Sequence, residues 1–206
     1  MAQTNQTPMK KISLSVLLCF SLLSGFSQSF LHGVGLSIFV SKVETSDIAA
    51  FGGVTYSPRV NFLETETLSL SAGIPLSVGL SGSYSYNSMN GYSSESNTLR
   101  FMFNAPLIVN LNVRAGSTKE NESRFGFFVG GGFGYHYGDF NVLESDQYGY
   151  LYDSDKTLAT YGPAANIGFR IAVGSHQKNI ETRLSNMKGI NDTKASIYGM
   201  AALFNF

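Results

Sequence analysis

The residues with chemistry to offer fall into two groups. The first recurs at alternate positions within otherwise apolar runs. It comprises Arg59 and Asn61, then Arg100, Asn104, Asn110, Asn112 and Arg114, then Asn166 and Arg170, then Glu181 and Arg183. Such a set suits ion pairing, or a polar path that favours anions because Arg outnumbers Glu. Glu181 with Arg183 or Arg170 is the expected ion pair. The second group is acidic and aromatic. Glu144, Asp146, Asp153 and Asp155 lie among Tyr148, Tyr150 and Tyr152, and Tyr92 sits in a Ser- and Asn-rich stretch. Tyrosines supply contact area, so these residues are expected at a surface contact site. The Asp spacing does not match a calcium loop.

Catalytic patterns do not assemble. In Glu181-Thr182-Arg183-Leu184-Ser185-Asn186, the residue two before the serine is an arginine. A guanidinium stays protonated and cannot act as the base that activates Ser185. Gly130–Gly134 lacks the final glycine and the following helix of a dinucleotide fingerprint. No pair of histidines has metal-ligand spacing. The expectation is therefore no catalytic residue, no metal and no cofactor.

Alternation with period two defines the elements that carry these residues. Over 68–86, Leu68, Leu70, Ala72, Ile74, Leu76, Val78 and Leu80 share one parity, and Ser69, Ser71, Ser77, Ser81, Ser83 and Ser85 the other. Over 99–115, the apolar set runs from Leu99 to Ala115, with Arg100, Asn104, Asn110, Asn112 and Arg114 opposite. Such runs are about three times the usual globular strand of 5–6 residues. A tilted strand crosses a bilayer in about 9–11 residues. The same reading places further strands at about 30–40, 51–63, 125–139, 158–174, 179–187 and 194–206. Eight strands in all predict an all-β fold, a single eight-stranded antiparallel transmembrane up-and-down barrel, the form in which strands alone satisfy every backbone group in lipid. The polar parity faces inward, and the glycines of 125–139 leave room for long inward side chains. Outer connectors are expected at 41–50, 87–98, 140–157 and 188–193, and inner ones at 64–67, 116–124 and 175–178; inner turns should be the shorter set, and 188–193 and 116–124 depart from that. The facing predicts that Val78→Arg costs about 2–4 kcal/mol in lipid, with Ser77→Arg milder.

Composition fits this reading. The 206 residues are 43% hydrophobic and 14% charged, with formal net charge zero. No cationic excess is available for nucleic acid. Residues 1–27 read as a cleaved signal peptide: Lys10 and Lys11, an apolar stretch from Ile12 to Leu23, then Ser24-Gly25-Phe26-Ser27. The single cysteine, Cys19, lies inside it, so disulfides are not expected in the barrel domain, 28–206.

The signal, the alternating strands and the chain end Tyr198-Gly199-Met200-Ala201-Ala202-Leu203-Phe204-Asn205-Phe206 together resemble the small outer-membrane β-barrels of Gram-negative bacteria, of the OmpX, OmpW and OmpA-membrane-domain kind. Phe204 and Phe206 match that class's terminal insertion signal, while Ala201 stands where a glycine is usual. The resemblance implies a monomer in the cell outer membrane, in contact with outer-membrane lipid and lipopolysaccharide, inserted by the barrel-assembly machinery through the C-terminal strand. It implies a non-enzymatic envelope protein whose extracellular loops bind or adhere, with a narrow porin-like channel as the alternative. The 181–186 stretch is also faintly similar to the His-x-Ser-Asn of lipid A deacylase barrels, but Arg183 takes the histidine's place.

Overall fold

The computed structural model describes residues 29–43, 48–89, 92–118, 121–145, 147–149, 151–174, 178–191 and 194–206. The expected signal segment lies outside them. Eight antiparallel strands form a closed barrel. They are β1 (Ser29–Leu31 and Gly33–Lys42), β2 (Ala49–Tyr56 and Arg59–Phe62), β3 (Leu68–Gly73 and Leu76–Met89), β4 (Tyr92–Asn104 and Leu107–Arg114), β5 (Phe125–Ser145), β6 (Leu151–Ala172), β7 (Asn179–Lys188) and β8 (Ser196–Asn205). Each pairs with its sequence neighbours, and β8 closes on β1 through pairs such as Phe204 with Val34.

The wall sorts side chains as the alternation requires. Leu36, Ile38, Val54, Val78, Leu80, Val109, Val129, Ile167 and Met200 are exposed on the outside. In water so broad an apolar surface would drive association; in hydrocarbon it is the matched face. Aromatic rings mark both margins. His32 stacks between Tyr56 and Phe206 near the turns, and Tyr135, Tyr137, Tyr161 and Tyr198 are exposed farther along the wall. Such girdles mark the two interfaces of a membrane barrel.

Two features depart from the sequence reading. The strands over 51–63, 68–86 and 99–115 are not continuous. Ser57-Pro58, Ile74-Pro75 and Ala105-Pro106 interrupt β2, β3 and β4 at one level. Proline has no N–H for the ladder and is normally kept to edges or bulges. The register places Pro75 opposite Pro106, between the pairs Gly73–Ile108 and Ser77–Asn104. Ile74 N to Pro58 O at 3.2 Å and Ala105 N to Tyr135 O at 2.8 Å hold the flanks. Facing parity survives each break, which is why alternation alone hides them.

The second departure concerns the outer connectors. The stretches 87–98 and 140–157 are not loops. β3 and β4 pair up to Met89 and Tyr92, and β5 and β6 up to Ser145 and Leu151. The barrel partners stop earlier, β2 with β3 at Leu80 and β4 with β5 at Gly138. Two-stranded ribbons therefore project beyond the barrel. At about 3.3 Å per residue, the 21 residues of β5 extend about 70 Å along the strand, far beyond the 9–11 that cross hydrocarbon.

Glycines let the bore be filled. A Cβ on Gly168 would meet the Phe128 ring at 2.4 Å, one on Gly134 the Met187 sulfur at 2.4 Å, and one on Gly199 the Phe39 ring at 2.7 Å. Long inward side chains thus lie over bare backbone on the next strand or, for Met187, the next but one. Gly168→Ala is expected to overpack this contact and cost about 1–3 kcal/mol, read from the midpoint of a reversible unfolding titration in detergent.

Candidate functional site

The bore has two unlike halves. The half nearest the ribbons is apolar. Phe39, Ala49, Phe51, Met102, Phe140, Met187, Ala195 and Ile197 form one buried cluster. His136 is buried at its margin, edge-on to Phe140. The half nearest the turns is polar and built around one carboxylate.

Glu181, on β7, accepts at Oε2 from Arg59 Nη1 at 3.0 Å, Arg170 Nε at 2.7 Å and Asn205 Nδ2 at 3.1 Å. Its Oε1 accepts from Arg183 Nε at 3.0 Å and Arg183 Nη2 at 2.5 Å. The arginines come from β2, β6 and β7, so the cluster ties the wall across its diameter. Outer hydrogen bonds fix them: Arg170 Nη1 donates to Asn112 Oδ1 at 2.9 Å, and Arg183 Nη2 to Ser57 Oγ at 3.1 Å. Asn112 in turn donates to Ser71 Oγ. Phe128 slides beneath, its ring centroid 4.3 Å from Arg170 Cζ and 5.7 Å from Arg183 Cζ. That contact adds cation–π attraction. It also puts an apolar plate across the bore.

The turn after β4 caps this end. Ala115, Ser117 and Thr118 are buried, and Asn61 Nδ2 donates to Ser117 O at 2.7 Å. The 116–124 connector is long for an inner turn because part of it folds inward. Gly116 makes this possible with φ of +72°, a backbone conformation that favours glycine.

The sequence-derived lumen set divides. Arg59, Asn61, Asn112, Arg170, Glu181 and Arg183 meet at the polar end, and Asn104, Asn110 and Asn166 are buried along the bore. Arg100 is only half-buried, toward the ribbons. Arg114 does not line the lumen: it ends β4 with φ of +62°, exposed at the rim. Its parity is right, but the strand stops there and the chain turns. Inward residues that the sequence reading did not connect to the cluster are Asn205, Ser57 and Phe128. Asn205 has the inward parity of β8, so the signal was present.

The surface-contact residues are not in loops. Tyr92 opens β4, and Glu144, Tyr152, Asp153 and Asp155 lie in the β5–β6 ribbon, Glu144 paired with Tyr152 and Asp153 with Leu143. Tyr148 is exposed in the turn at its tip. Asp146 and Tyr150 lie outside the described residues. A polar, turn-prone composition hid strands that need no apolar face because they stand in water.

Among the described residues, Ser185 meets no base that could activate it. Its Oγ bonds to Gly199 O at 3.4 Å, while Arg183 is committed to Glu181 and Ser57. Between the two halves lies a cavity of about 40 Å³, whose lining includes Thr55, Ser77, Asn104, Asn166 and Ser185. Phe204 and Phe206 both face outward, and Phe206 exchanges backbone hydrogen bonds with His32 to seal β8 on β1.

No protein-family model and no curated protein matches the sequence. Solved structures do. Ail, the attachment invasion locus protein of Yersinia pestis, superposes with a TM-score of 0.51 at 8% identity, covering 87% of this chain and 98% of that one. Ail in complex with the heparin analogue sucrose octasulfate gives 0.51 at 11% identity over the same shares. Neisserial surface protein A gives 0.49 at 9%, covering 87% and 97%. The fold is that of the small eight-stranded outer-membrane barrels.

Proposed function

We propose that the chain is a non-enzymatic outer-membrane barrel protein whose working surface is its two projecting ribbons. The filled bore carries this reading. A solute path would have to pass the Glu181–arginine cluster, the Phe128 ring and the apolar cluster around Phe51 and Met102. Each ribbon also has a backbone edge beyond its last barrel pairing, at Ser81–Met89 and at Asp139–Ser145. Such edges are templates for strand addition by a partner protein. The terminal aromatic pair supports insertion by the barrel-assembly machinery, and the apolar wall supports contact with outer-membrane lipid and lipopolysaccharide.

The partner is a protein surface with neutral or basic character. The two ribbons carry Glu95, Asp139, Glu144, Asp153 and Asp155 against Arg100 and Lys156. A polyanion such as the octasulfate seen on Ail would meet like charge here.

Single-channel recording on the refolded chain tests the filled bore. No discrete conductance steps are expected. Anion-selective steps would replace this reading with the channel. Replacing residues 141–155 by a two-residue turn is then expected to leave the heat-modifiable gel shift intact. It should abolish adhesion of cells displaying the chain to basic protein coatings. Unchanged adhesion would remove the ribbon from the reading.

A further inference from the structure

The turn-side end of the bore carries more positive charge than its described neighbours balance. Arg59, Arg170 and Arg183 are buried there, and among the described residues Glu181 is the carboxylate they contact. That carboxylate is saturated. It already accepts from all three guanidinium groups and from Asn205, and two oxygens offer about four lone-pair sites. Among the described residues two positive charges are therefore in excess.

Arg59 shows where the excess is felt. One of its nitrogens, Nη1, reaches Glu181; Nε and Nη2 are buried and meet no acceptor among the described residues. The Ser117 and Thr118 hydroxyls, on the turn that caps this end, are also buried and meet no partner among the described residues. The turn and the arginine are adjacent. A Cβ on Gly116 would stand 3.6 Å from Arg59 Nη2, and Asn61, two residues from Arg59, bonds to Ser117 O. Unused donors thus lie on two adjacent elements, beside positive charge that no described carboxylate balances. A buried donor left unpaired is costly, and a buried charge more so. Water would satisfy the hydrogen bonds but leave the charge.

We propose that this end of the bore binds one small inorganic anion, of the size of chloride, between Arg59 and the 115–118 turn. Arg59 Nε and Nη2 and the hydroxyls of Ser117 and Thr118 are its donors. The turn packs closely here, with a Cβ on Gly116 already 2.9 Å from Asn179 Nδ2 and 3.1 Å from Arg170 Cδ, so that side leaves no room for an anion as large as sulfate or phosphate. The ion links the cap to β2, so it acts as a structural ligand of the closed end.

The test is made on the refolded full chain in detergent. Its urea midpoint is followed against sodium chloride and against sodium gluconate at matched ionic strength. Chloride should raise the midpoint along a saturating curve, and gluconate should not. Bromide should replace chloride, and anomalous scattering from a bromide-soaked crystal should place one peak between Arg59 and Ser117. Arg59→Met should abolish the saturating response. Ser117→Ala with Thr118→Val keeps every charge and should weaken the apparent chloride affinity about tenfold, the scale of hydrogen bonds to a charge. This pair reads the site even if Arg59→Met does not fold. Identical chloride and gluconate curves would overturn the proposal, since a carboxylate of the chain itself would then balance the arginines. So would a chloride response that survives both sets of substitutions.

Discussion

Glu181→Gln is expected to destabilise the folded barrel by about 3–5 kcal/mol, the scale found when one partner of a buried ion pair is removed. Glu181 accepts from three arginines that are themselves buried. Glutamine keeps the shape and one acceptor oxygen. It loses the charge and places an amide NH2 where a carboxylate oxygen accepted. The excess positive charge among the described residues of the cluster then rises by one, in a buried place. Arg183→Met is the informative contrast. It lowers the excess by one, and Glu181 retains Arg59 and Arg170. Its cost should be clearly smaller, even though Ser57 loses a donor. Unfolding titrations in detergent compare the two. If Arg183→Met proved as damaging as Glu181→Gln, charge balance would not be what holds this end together.

Val78→Arg is expected to cost about 2–4 kcal/mol in lipid if it sits near the bilayer midplane. Val78 is 42% exposed on the outer wall. It pairs with Val54 on β2 and Phe103 on β4, so the wall around it offers no counter-charge. Val78→Leu should lie within about 0.5 kcal/mol of the parent, as surface substitutions do. Folding titrations into lipid vesicles read the difference. Equal tolerance of Leu and Arg at 78 would remove it from the lipid face. The inward neighbour needs a different expectation from the one that alternation gives. Ser77 is 1% exposed, bonds to Thr55 at 2.8 Å and borders the cavity of about 40 Å³. The position is buried and already hydrogen-bonded, so Ser77→Arg should cost about 1–3 kcal/mol by overpacking rather than being mild. Ser77→Ala overpacks nothing and removes only the bond to Thr55, which keeps its bond to Ser37.

The sequence by itself determined the barrel. In lipid every backbone group must be paired, and strands achieve this only by closure. An apolar, charge-free parity over long runs therefore leaves little choice of fold. It also determined which side of the wall the residues within each barrel strand face, short of the strand ends, because a period of two cannot drift. Arg59, Arg170, Glu181 and Arg183 were legible as inward residues on that ground alone. Alternation is blind to three other things. It could not place Arg114, whose parity is inward but whose strand ends there. It could not see the breaks at Pro58, Pro75 and Pro106, because parity survives them. It read the 87–98 and 140–157 ribbons as loops, because strands standing in water on both faces need no apolar side. Tertiary structure alone decided which arginines share Glu181, since these residues lie on β2, β6 and β7 and meet only when the wall curves shut. It also decided that Phe128 crosses the bore, over a glycine on the next strand. Contacts across a lumen depend on strand stagger and tilt, which closure fixes and no local pattern of residues encodes.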